Sequence, residues 1–203
     1  MMDAEIWDAR YQEKERIFSG NANGVLVDEA AGIEPGQALD LGCGEGADAI
    51  WLAGRGWRVT ALDISRVAVE RAREVVAEEA PELAGRIAWV RADLAESSPP
   101  EDSFDLVSAQ YLPLERAHGE AQVRGVLASV AVGGVLLFVG HDPRDVPADH
   151  GFDPADYFLA GDVKRFLGED WRIEADELRE RADPGPPGAH HVHDVVLRAR
   201  RLR

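Results

Sequence analysis

Short apolar runs that read as strands alternate with amphipathic segments that read as helices. This alternation constrains the fold more than any other feature of the chain. Strand character falls at 36–41, 57–63, 86–93, 104–110 and 133–141. Helices are expected over 3–17, 24–31, 46–55, 65–80, 115–131 and 159–168, with Asn23 placed to cap the second. In the 65–80 segment, Val67, Ala68, Ala72, Val75 and Val76 recur at helical spacing, and Pro81 ends it. The near-continuous apolar run "GGVLLFVGH" (133–141) is what a strand covered on both faces requires. Five such alternations predict a parallel sheet with helices on both faces. Two last runs, 171–181 and 192–201, have only the loop "ADPGPPGAHH" between them. That connection is too short for a parallel crossover, so they are expected as an antiparallel pair at the end of the sheet.

The length, 203 residues, suits one domain. A formal charge of −16 makes phosphate backbones and anionic lipid heads poor partners and small molecules better ones. The lone cysteine, Cys43, permits no internal disulfide, which fits a cytoplasmic protein, and no apolar run has the length of a membrane span. Nothing in the sequence separates monomer from homodimer.

The stretch "ALDLGCGEGAD" (38–48) places Gly42, Gly44 and Gly46 between a strand and a helix. In such sheets ligands bind at the carboxyl ends of strands, where glycines let a ligand approach the backbone. Gly42-x-Gly44-x-x-Ala47 also satisfies a dinucleotide-binding pattern, and Asp63, ending the second strand, would hold a ribose in either case. Three features favour S-adenosylmethionine (SAM) over a nicotinamide cofactor. Asp40 precedes the glycines, where a carboxylate would repel a pyrophosphate but suit an α-ammonium group. No Tyr-x-x-x-Lys pair exists, since Glu15, Glu115 and Gly161 stand four residues after Tyr11, Tyr111 and Tyr157. The third strand also ends in an acid, Asp93.

With these residues in place, "DLGCGEGADAIWLAGRGWRVTALDISRVAVERARE" resembles the core of the class I SAM-dependent methyltransferases. "W7…Y11…F18-S19-G20…N23" is similar to the small methyltransferases grouped with tellurite-resistance and thiopurine methyltransferases. The resemblance implies a doubly wound, seven-stranded Rossmann-like α/β sheet with an antiparallel last strand. It further implies one domain over 1–203 with an N-terminal helical lid over about 1–32. Asp40, Gly42, Gly44 and Gly46 would receive the amino-acid end of SAM. Asp63 would take the ribose hydroxyls, Ile64 and Leu94 would flank the adenine, and Asp93 would meet its amine. Gln110 would touch the methionine part, and Trp7 and Tyr11 would fold over the cofactor. "AQYLPL" after the fourth strand lacks the "NPPY" type of sequence expected of enzymes that act on flipped bases.

The expected activity is methyl transfer to a small acceptor: a thiol, a metalloid oxyanion, a hydroxyl or an amine. The alternatives are a nicotinamide-dependent reductase and a non-catalytic SAM-binding protein. Candidate acceptor-side residues are Tyr111, His141 and His191, the last within "GAHHVHD" beside His190 and His193. If the last strand is antiparallel, it begins at the edge where the parallel strands end, which brings these histidines toward the site. Ligands at 190, 191 and 193 cannot converge from one strand start, so no metal is expected. Cys43, with no base near it in sequence, reads as a packed residue.

Overall fold

A computed structural model of the chain describes residues 3–145, 153–181 and 192–203. Helices α1 (Ala4–Gln12) and α2 (Gly24–Ala30) precede the alternating core of β1 (Gln37–Leu41), α3 (Ala47–Gly54), β2 (Arg58–Asp63) and α4 (Arg66–Glu79). Strands β3 (Ile87–Arg91) and β4 (Phe104–Gln110) lead to α5 (Ala121–Ser129) and β5 (Val130–His141). The short α6 (Ala160–Val163) comes before β6 (Trp171–Glu180) and β7 (His193–Arg201).

The seven strands form one sheet in the order β3-β2-β1-β4-β5-β7-β6. Every pairing from β3 to β5 is parallel, and β7 is antiparallel to both β5 and β6. The fold class is therefore the expected one, and the last strand lies between its two predecessors. Alternate β5 residues bury opposite faces, as the two-residue period of a strand demands. Val135, Leu137 and Val139 join the cluster with α2, α3 and α4, while Leu136 and Phe138 join the cluster with α5 and α6.

Three expected helices shorten or divide, and one expected cap is not made. Helix α1 stops at Gln12 instead of 17, and farther on the N–H groups of Ile17 and Phe18 donate to Glu45, a tertiary bond that continued helix would forbid. The helix expected over 115–131 is a tight turn at 116–118 followed by α5. Gly119, at φ +75°, separates them, and β5 starts directly after α5 at Val130. The one expected over 159–168 reduces to α6 and a tight turn over 164–166. Asn23 stands at the start of α2 without capping it, because its side-chain amide donates to Asp48 at 2.8 Å. Among the described residues no helix is long and apolar enough to cross a membrane.

Candidate functional site: the carboxyl edge of the sheet

The turn after β1 is wound through the left-handed region at Gly42 (φ +69°), Gly44 (+53°) and Gly46 (+87°). The N–H groups of Gly42 and Cys43 both donate to the Leu62 carbonyl (2.8 and 3.0 Å), which ties the turn to β2. A Cβ on Gly44 would lie 2.9 Å from the Tyr11 hydroxyl. Only glycine satisfies both the backbone and the space there.

Three carboxylates are buried around this turn. Asp40 is 2% exposed, and its Oδ2 is buried without a hydrogen-bond partner. Burial pushes its pKa well above the usual carboxylate range, and Asp48 and Asp63 push it further. Asp63 receives the N–H of Gly44 on Oδ2 (2.9 Å) and that of Ser65 on Oδ1 (2.8 Å). Burial raises its pKa too, against the pull of those bonds. Asp48 accepts the backbone N–H (2.7 Å) and the side-chain amide of Asn23, and burial raises it as well. Such a pocket disfavours added negative charge and welcomes a cation.

Residues 4–23 strap across the turn. Asp8 on α1 accepts from the Ser65 hydroxyl (2.6 Å) and the Val67 N–H (3.1 Å) at the start of α4. Glu45 accepts from the N–H groups of Ile17 (3.2 Å) and Phe18 (3.2 Å) and pairs with Arg71 at 3.3 Å. Tyr11 is buried beneath the strap, with the rings of Trp7 and Phe18 at 6.1 and 6.2 Å. Its hydroxyl stays protonated, because burial and then Asp63 drive its pKa up.

Beside the strap opens a cavity of about 310 Å³, lined by Ala4, Ile64, Arg91, Ala92, Asp93 and Glu96. Ile64 and Asp93 are therefore together on one cavity. Leu94 is not on that lining and packs against the core cluster of α5 and α6. Asp93 also accepts the Ala95 N–H at 2.7 Å. Gln110 is buried, donates to the Ser108 hydroxyl (3.0 Å) and leaves its Oε1 without a partner.

On the other side of the turn, the ring of Tyr111 stacks on His141 with centroids 4.3 Å apart. Two residues not foreseen from the sequence complete this group. The Tyr111 hydroxyl donates to Asp194 at 3.0 Å, and Arg181 contacts Asp194 (3.2 Å) and Nδ1 of His141 (3.3 Å). A guanidinium only donates, so Nδ1 of His141 can pair with Arg181 only as an acceptor. The only advance signal for Asp194 was its place at the start of a strand expected to be antiparallel. His190 and His191 lie outside the described residues, and His193 contacts Asp145 at 3.1 Å. Cys43 is buried, and burial pushes its thiol up, which leaves it unreactive.

The strand order, the glycine turn and the acids at or near the ends of β1, β2 and β3 define the class: a class I methyltransferase fold. A family model described as "Methyltransferase domain" matches residues 38–134. A solved structure reported under "Conversion of a Disulfide Bond into a Thioacetal Group during Echinomycin Biosynthesis" superposes with a TM-score of 0.75. It is 26% identical, and the match covers 99% of this chain and 92% of that one. TehB of Haemophilus influenzae is 25% identical over 179 residues, covering 84% of this chain and 60% of TehB. The TehB crystal structure superposes with a TM-score of 0.69 at 22% identity, over 98% of this chain and 66% of that one. Thiopurine S-methyltransferase of Xanthobacter autotrophicus is 36% identical over 74 residues, 34% of this chain and 35% of that protein. The chain spans less than two thirds of the length of these curated relatives. In its sequence over 38–134 and in its fold, the chain is similar to the class I SAM-dependent methyltransferases.

Proposed function

We propose that the protein binds SAM at the glycine turn and methylates a small, soft nucleophile, a thiol above all. One observation carries the cofactor reading: the buried Asp40 carboxyl, whose Oδ2 lacks a partner. An α-ammonium group would satisfy that atom, whereas a pyrophosphate would be repelled by it. In this reading Asp40, Gly42 and Gly44 hold the amino-acid end and Asp63 the ribose hydroxyls. Ile64 and Asp93 hold the adenine in the 310 Å³ cavity. Gln110 offers its unpartnered Oε1 to the methionine part. The strap, with Trp7 and Tyr11, is the lid of a single domain and keeps water out. The cofactor would supply a methyl group already activated on a sulfonium.

The acceptor class follows from what Tyr111 and His141 offer. Burial and then Asp194 drive the Tyr111 pKa up, and the basic nitrogen of His141 faces Arg181. Neither is poised to remove a proton, so the acceptor arrives already nucleophilic, as a thiolate does. Two relatives point the same way by name: the thiopurine S-methyltransferase and the protein of the disulfide-to-thioacetal conversion. Calorimetry with S-adenosylhomocysteine (SAH) and turnover of SAM with thiophenol test the reading. Heat with SAH and formation of methyl phenyl sulfide are expected. No heat with SAH, together with a thermal shift from a nicotinamide dinucleotide, would overturn it.

A further inference from the structure

At the carboxyl edge of the sheet, one carboxylate gathers side chains from three other strand ends. Asp194, 4% exposed, is the second residue of β7. Its Oδ1 accepts from Tyr111 just past β4 (3.0 Å) and from Arg181 just past β6 (3.2 Å), and lies 4.0 Å from Nδ1 of His141, which ends β5. The Arg181 guanidinium also lies over the Tyr111 ring, 5.1 Å from its centroid.

Sheet pairing does not call for this arrangement. The main chain of Asp194 already pairs with His141 on one side and Arg179 on the other. Tyr111 has φ +56°, a left-handed conformation that is strained for a residue other than glycine. The surroundings hold it there: its N–H donates to the Val139 carbonyl at 2.7 Å, and its hydroxyl is taken by Asp194. The next residue, Leu112, lies against Gly42, so this strained turn borders the glycine turn directly. Strain of this kind, over-determined by its neighbours and placed beside a binding site, marks a side chain whose direction matters.

We propose that Asp194 is the positioning residue of the acceptor pocket. By receiving both Tyr111 and Arg181, it holds an aromatic–guanidinium wall beside the cofactor turn and sets acceptor turnover without setting cofactor affinity. This rests on the methyl-transfer reading above. The hydroxyl, ring and guanidinium act as one unit through a shared carboxylate oxygen, so removing any member disorders the rest.

The test compares the full chain with Asp194→Asn, Tyr111→Phe and the double variant, measuring SAH affinity, melting temperature, and kcat and KM with SAM and thiophenol. Each single variant is expected to lower kcat about ten-fold or more, with SAH affinity within about two-fold of wild type. The double variant should be no worse than the worse single one, as for groups that act together. Unchanged kcat in folded, SAH-binding variants overturns the assignment. So does a loss of kcat that tracks an equal loss of SAH affinity, since that marks a merely structural ion pair. If Asp194→Asn fails to fold, Tyr111→Phe, which removes only the hydroxyl, decides by the same two criteria. A wild-type protein that binds no SAH sinks the cofactor reading, and one that binds SAH but leaves thiophenol untouched sinks the thiol reading. Both results differ from a variant that fails to respond.

Discussion

The backbone N–H of Gly44 donates to Oδ2 of Asp63 at 2.9 Å and so joins the turn after β1 to the acid that ends β2. In the proposed reading one carboxylate has two tasks. It fixes the glycine turn, and it stands where a ribose would be held.

Replacing Asp63 should therefore cost more than one contact. Asp63→Ala is expected to weaken SAH binding about ten- to a hundred-fold, since hydrogen bonds to a charged group contribute about 1.5–3 kcal/mol each. Asp63→Asn should restore little, because its amide either turns a donor toward the Gly44 N–H or gives up the Ser65 N–H. Calorimetry with SAH checks both, and circular dichroism confirms the fold. Affinity unchanged in both variants would remove Asp63 from the site.

Gly44→Ala combines a left-handed backbone with a near contact to the Tyr11 hydroxyl. It should lower unfolding stability by about 1–3 kcal/mol. Gly85→Ala is the control, since its added methyl meets nothing within 4 Å. It should move the urea midpoint little. Equal effects of the two substitutions would refute the argument from space and backbone.

The buried acids make a prediction about pH. Asp40 and Asp63 have folded-state pKa values raised by burial. Their contribution to stability is fully present below the unfolded-state value and is lost as pH rises through the raised one. The protein without cofactor should thus lose stability as pH climbs out of the ordinary carboxylate range. An ammonium group at Asp40 favours the ionised form, so SAH binding should release protons and strengthen with pH over that window. Calorimetry in buffers of different ionisation enthalpy reads the protons directly. Proton uptake instead of release would contradict the role of Asp40.

The strap depends on Glu45. Glu45→Gln removes the charge that pairs with Arg71 and weakens the hold on the Ile17 and Phe18 N–H groups. Trypsin cleavage after Lys14 or Arg16, both exposed, should speed up several-fold, and SAH should slow it in wild type more than in the variant. Equal cleavage rates would show that the strap is held by its aromatic contacts alone.

How far the site was legible depends on whether its residues are close in sequence. The glycine turn, Asp40 and Asp63 were readable because a strand, a turn and the next strand end follow one another within about 25 residues. The helix expected over 3–17 ran too long because its charged residues favour helix on their own. Nothing nearby in sequence reveals that Glu45 takes the N–H groups at 17 and 18. The partnership of Tyr111 with Asp194 spans 83 positions. It exists only because β7 enters the sheet from the far side of β5, and no local pattern encodes such a meeting.

The reversed direction of β7 also orders events in time. The glycine turn and the acids beside it lie within the first 93 residues, while the carboxylate that gathers Tyr111 and Arg181 stands at position 194. During synthesis, a half-made chain can form the binding turn long before it can form the wall. Strand β7, sliding between β5 and β6, is the step that would complete the proposed acceptor wall.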